Sequence, residues 1–118
     1  LAQLLLGLPH VALVLSTSWV RVYGLAAAVA GLPVELQSRV VGATFDPARD
    51  GPGFAAMARG YQVLEDVRRR RATRWLALDD EGKDWPDEQR HRLVLTDSVL
   101  GIGAPGAIDG LARQLAAL

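Results

Sequence analysis

Cysteine is absent from this sequence, which excludes thiol nucleophiles, thiolate metal sites and disulfides and fits a reducing cytoplasm. Any metal must be held by oxygen or histidine. Only two histidines exist, His10 and His91, and they lack the spacing of a metal-ligand pair. Lysine is scarce too: of the 13 basic residues all but Lys83 are arginine. An excess of either charge is missing, because 13 basic side chains face 13 acidic ones. That balance argues against a polycation made for nucleic acid. A membrane span needs about 20 apolar residues, and the one apolar opening stretch is interrupted by Gln3, Gly7, Pro9 and His10. No internal repeat or linker is visible; a signal peptide would need a basic leader, and the first basic side chains here, His10 and then Arg21, follow the apolar run.

What is present suits one small domain over residues 1–118, half of them hydrophobic. At this size roughly two thirds of the unfolded chain's surface can be buried. The chain opens on Leu1, already inside an apolar run, so its true start is expected upstream.

Leucines at 1, 4, 5 and 8 have helical spacing. Residues 11–15 (VALVL) are continuously apolar and predict a short strand buried on both faces, ending at Ser16, Thr17 and Ser18. Ser18 is expected to cap a helix over 19–30, stopped by Gly31 and Pro33. A helical turn from Pro33, a weak strand over 39–44 and a Pro-, Gly- and Asp-rich loop over 45–53 follow. A helix is predicted over 57–70, with Phe54, Met57, Tyr61 and Leu64, or Tyr61, Leu64 and Val67, as its buried stripe. Residues 75–78 and 92–95 predict two more buried strands. Ile108, Leu111, Leu115 and Leu118 mark an amphipathic closing helix over 104–118. Short apolar strands separated by helices predict an α/β sandwich around a mostly parallel sheet covered on both faces.

Ligands of open parallel sheets sit outside the carboxyl ends of the strands. Those ends carry Ser16, Thr17, Ser18 and Trp19 after the first strand, and Asp79, Asp80, Glu81, Gly82, Lys83, Asp84 and Trp85 after the later one. Hydroxyls at a helix start suit phosphate oxygens, and clustered carboxylates suit Mg²⁺.

The apolar strand ending in Ser16, Thr17, Ser18 and Trp19 precedes Arg59 and the acidic strand end at Asp79 and Asp80, with Asp84 and Trp85 beyond it. This order resembles the haloacid dehalogenase (HAD) superfamily, and more closely the small bacterial HAD-domain proteins related to the HAD domains of RNA-repair proteins. The resemblance implies a three-layer, Rossmann-like α/β sandwich and a Mg²⁺-dependent phosphohydrolase. Its substrate would be a small phosphorylated molecule or a nucleic-acid end phosphate. Ser16 resembles the hydroxyl that bonds the transferring phosphoryl group, with Thr17 the alternate; Thr17, Ser18 and Trp19 would line the substrate. Arg59 resembles the basic residue that offsets phosphoryl charge. Asp79, Asp80 and Asp84 resemble the metal-holding acids.

One departure is large. The family's Asp-x-Asp, which supplies the nucleophile and the general acid and base, occurs nowhere in the sequence. In the family it sits on a central strand, so the sheet is expected to lack that strand and the domain to be N-terminally incomplete. The 118-residue chain is then expected to be inactive. The alternative is a catalytically dead HAD-like binding or interaction module.

Four consecutive arginines at 68–71, with Arg74 nearby, are the one feature that suggests nucleic acid. Consecutive helical residues lie about 100° apart, so the four fan around the axis, and they occupy a helix end where the dipole favours cations. A solvated helix terminus is the expected role. Trp19 and Trp85 are expected to wall the site or the core.

Overall fold

The computed structural model describes residues 1–96, 103 and 105–118. They divide into two compact units, Ala2–Met57 and Ala58–Leu118.

In the first unit, α1 (Ala2–Leu6) precedes β1 (Leu13–Leu15), and β1 pairs in parallel with β2 (Val40–Ala43). Arg39 connects these elements. Its guanidinium donates to the carbonyls of Leu8 at 2.8 Å and Val11 at 3.0 Å and also to that of Leu5. Its own carbonyl accepts the Leu13 N–H at 2.9 Å. One side chain thus ties the end of α1 and the turns that follow it to the start of β2, and the strand begins two residues later than the apolar run predicted.

The helix predicted over 19–30 is two helices, α2 (Ser18–Tyr23) and α3 (Leu25–Ala30). Gly24 between them has φ +89°, a conformation that Cβ-bearing residues rarely adopt. The cap is Thr17, not Ser18: Thr17 Oγ1 accepts the Trp19 N–H at 3.3 Å. Hydroxyl residues at 16, 17 and 18 made the position ambiguous. A short α4 (Val34–Gln37) leads into β2. Val20, Ala28 and Ala43 form the core here, with Leu15 and Phe45 packed against them. After the turn over 45–52 comes α5 (Gly53–Ala56), whose Phe54 ring lies 5.2 Å from that of Phe45.

In the second unit, α6 (Arg59–Arg70) leads to β3 (Ala77–Asp79), which pairs in parallel with β4 (Leu93–Leu95). A 3₁₀ helix over Asp87–Arg92 precedes β4, and α7 (Ala107–Ala116) closes the unit with Leu111 buried. Residue 104, the predicted start of that last helix, lies outside the described residues. The strand predicted over 75–78 is displaced toward Asp79. The Trp75 carbonyl accepts from Arg92 Nη1 at 3.2 Å, and the Arg92 guanidinium lies over the Trp75 ring at 5.3 Å.

The face that α6 buries is also not either predicted stripe. Gly60, Gln62 and Asp66 are buried and Tyr61 is exposed. Asp66 turns the arginine run into local pairs: its carboxylate accepts from Arg69 Nη2 at 3.3 Å and Arg70 Nε at 2.7 Å. Arg68 pairs with Glu65 at 2.9 Å. These are i to i+3 and i+4 neighbours on one helix, so three of the four arginines face an acid of their own helix.

Every pairing among the described strands is parallel, as an α/β order predicts. Burial on both faces does not hold throughout: Leu78 is 43% exposed and Leu95 59%. Each sheet has two strands, and their pleat turns alternate side chains to opposite faces.

Candidate functional site

Parallel pairing places the carboxyl ends of β1 and β2 side by side. Ser16 follows one and Thr44 the other, and their hydroxyl oxygens lie 3.1 Å apart in a hydrogen bond. Thr44 is buried, and its N–H donates to the Leu15 carbonyl at 2.9 Å, extending the ladder one step. Ser16 is therefore held by a buried hydroxyl, whereas Thr17 spends its oxygen on the cap of α2. Ser18 and Trp19 open that helix and are exposed; the Trp19 ring stands edge-on to Tyr23 at 5.7 Å. Beyond Thr44, Arg49 Nη2 donates to the Thr44 carbonyl at 3.0 Å and to Asp50 Oδ2 at 2.9 Å.

The second unit has its own strand-end cluster. Asp79 is the last residue of β3, and its carbonyl accepts the Thr96 N–H at 2.9 Å. Asp79 Oδ1 accepts the Glu81 N–H at 3.2 Å, an Asx-type turn. Asp79 Oδ2 accepts the indole N–H of Trp85 at 3.3 Å. The Trp85 N–H in turn donates to the Gly82 carbonyl at 3.3 Å. Asp79 thereby shapes the turn, while Asp80 and Asp84 are exposed on it.

Trp85, only 3% exposed, carries the turn onto α6. A Cβ at Gly60 would lie 3.0 Å from Trp85 Cδ2 and 3.2 Å from Pro86 Cδ, so the helix approaches this closely only because residue 60 has no side chain. Arg59, exposed, is the helical residue immediately before Gly60. The structure thus brings α6 at Gly60, the residue after Arg59, against Trp85 of the turn that carries Asp79, Asp80 and Asp84. Ser16, Thr17, Ser18 and Trp19 stand at the strand ends of the first unit.

Asp80 and Asp84 offer exposed, hard oxygens of the kind Mg²⁺ takes. Both oxygens of Asp79 already accept N–H groups. Among the described residues no three His, Asp or Glu side chains converge closely enough to hold a metal by themselves. Mg²⁺ commonly takes one or two carboxylates together with waters and phosphate oxygens, so the donors fit it in kind and in that smaller number.

Thr44, Gly60 and Arg39 were not visible as functional or positioning residues in the sequence. Thr44 had a signal: it ends the weak strand over 39–44 as Ser16 ends the first, and parallel strands bring such ends together. Gly60 had none, since its role is defined by a residue 25 positions later in the chain.

A family model described as "HAD domain in Swiss Army Knife RNA repair proteins" matches residues 1–107. No curated protein and no solved structure matches the chain.

Proposed function

The chain belongs to the HAD domains of Swiss Army Knife RNA repair proteins, which makes it a HAD-type phosphohydrolase domain at the level of the family, and on that footing we propose how its residues divide the work. The corner where Trp85 joins Asp79 to the start of α6 carries the proposal. A basic residue and the acids of a phosphoryl-transfer site must be held rigidly with respect to one another, and this corner holds the segment of Arg59 against that of the acids.

Ser16 donates its hydroxyl to a phosphoryl oxygen, with Thr44 fixing its oxygen from behind. Thr17, Ser18 and Trp19 flank the substrate, a small phosphate ester or a nucleic-acid end phosphate. Arg59 offsets phosphoryl charge. Of the three acids, Asp80 and Asp84 hold Mg²⁺, and Asp79 shares in the site by orienting their turn. Mg²⁺, when bound, neutralises charge on the phosphoryl oxygens. The three-layer sandwich, its central strand bearing Asp-x-Asp, is the finer part of the same proposal, as is a cytoplasmic location.

The 118 residues contain no Asp-x-Asp, so they have positioning groups without a nucleophile, and almost no hydrolysis of an aryl phosphate is expected from them alone. A protein extended upstream through an Asp-x-Asp strand hydrolyses p-nitrophenyl phosphate with Mg²⁺ and loses that activity in Asp80→Asn. An active extended protein indifferent to both Mg²⁺ and Asp80 overturns the proposal. The missing motif also favours a second reading, a catalytically dead HAD-like binding or interaction module. It requires coding DNA upstream that lacks any in-frame Asp-x-Asp.

A further inference from the structure

Arg68, Arg69 and Arg70 pair with acids of their own helix, whereas Arg71 does not. Arg71 ends α6 in a left-handed conformation, φ +56°, and its exposed side chain has no hydrogen bond or ion pair among the described residues. Two residues later stands Thr73, also exposed, whose hydroxyl likewise has no partner among the described residues. Thr73 lines a groove of about 530 Å³ together with Arg74, Arg90, His91 and Arg92. Arg74 is exposed and has no ion pair among the described residues. Arg92 is fixed by the Trp75 carbonyl at 3.2 Å and by the Trp75 ring. Arg90 donates to Asp87 at 3.1 Å, an acid whose side chain is 96% exposed, and to the Lys83 carbonyl at 3.5 Å. Leu118 lines the same groove and carries the chain-terminal carboxylate, with which none of the groove's arginines pairs. Three guanidiniums against these two carboxylates leave the groove a surplus of positive charge.

We propose that Thr73 is a phosphorylation site, its phosphothreonine received by the arginines that line the groove beside it. Arginines shortly before a hydroxyl are a charge pattern that the acidic cleft of a protein kinase selects, and Arg70 and Arg71 stand three and two residues ahead of Thr73. Arg70 is bonded to Asp66 at 2.7 Å, but in the last turn of α6, where a helix opens most readily. In the transfer, Thr73 Oγ1 forms a bond to the γ-phosphorus of ATP while the bond to the β-phosphate oxygen breaks. ADP leaves, and the hydroxyl proton passes to the kinase's catalytic base. The product carries close to two negative charges and three strong acceptor oxygens. Guanidinium forks match such oxygens in shape as well as charge, and Arg74 and Arg90 have donors to spare for them. Arg90 belongs to the 3₁₀ helix before β4, so the phosphate ties the chain leaving α6 to that helix. The inference does not rest on the hydrolase proposal, since a chain inert toward phosphate esters can still be a kinase substrate.

Incubation of the full chain with Mg-ATP and the catalytic subunit of an arginine-directed serine/threonine kinase, read by mass spectrometry, tests the modification. A phosphate at Thr73 is expected, absent in Thr73→Ala and added about tenfold more slowly in Arg71→Gln. Titration of the phosphorylated chain by ³¹P NMR then tests the groove. The phosphate's second pKa is expected about half a unit or more below its ordinary value of about 6, and to rise toward that value in Arg74→Gln/Arg90→Gln. Arg74→Gln alone, read beside a circular-dichroism melt, gives a smaller rise with an unchanged fold. No incorporation, or incorporation that persists in Thr73→Ala, overturns the proposal. So does a phosphate that titrates at its ordinary value, or alike in parent and variants, because the groove then does not receive it.

Discussion

The indole of Trp85 fills the space that a side chain at Gly60 would need, with 3.0 Å between Trp85 Cδ2 and the position of a Cβ there. The same indole bonds Asp79 through its N–H. The first turn of α6 and the acidic turn therefore cannot shift independently.

Gly60→Ala is expected to destabilise the chain by about 1–3 kcal/mol, the range for overpacking a filled site. The neighbours are backbone and a buried ring, which have little room to yield. A denaturant titration monitored by tryptophan fluorescence measures it; an unchanged midpoint contradicts the close approach.

Trp85→Phe keeps a ring against Gly60 but removes the N–H donor to Asp79. A loss of about 1–2 kcal/mol follows from an unpaired donor–acceptor site with a charged acceptor. In the proposed enzyme the same change weakens Mg²⁺ affinity by loosening the turn that carries Asp80, and isothermal titration calorimetry of the extended protein reads this separately from stability.

Arg39 ties three carbonyls between α1 and β1. Arg39→Lys cannot reproduce a planar fork, so it is expected to recover little of the roughly 2–3 kcal/mol lost in Arg39→Ala, the scale for charge-assisted bonds to half-buried groups. Thermal melts of the two variants decide it: a lysine variant as stable as the parent contradicts a geometric role for the fork.

Asp66 is 4% exposed and accepts from two arginines that are only partly buried. Asp66→Asn is expected to cost about 1–3 kcal/mol, less than a fully buried pair because solvent screens the arginine ends. Raising the salt concentration should shrink the difference between parent and variant.

Ser16 and Thr44 share one hydrogen bond. In a double-mutant cycle with Ser16→Ala and Thr44→Val, the coupling is expected near 1 kcal/mol. Independent, additive losses would show that the bond contributes nothing to stability.

Much of this protein is determined locally and is legible without coordinates. Apolar runs at 13–15 and 93–95 make strands, leucine spacing makes α1 and α7, Gly31 and Pro33 end α3, and the polar residues placed at strand ends are those the strand order exposes. The acidic turn and Ser16 were visible for that reason, and the family match covers the segment that carries both. Partners distant in sequence were decided only by tertiary structure. Arg39 delays β1 because it reaches the end of α1, Trp75 leaves β3 because Arg92 takes its carbonyl, and Asp66 is buried in place of Tyr61 because Arg69 and Arg70 satisfy it. Each is a polar group finding its partner once the chain has folded. Hydrophobic periodicity records which residues prefer to leave water, but it carries no information about which hydrogen bonds will permit a charged residue to join them.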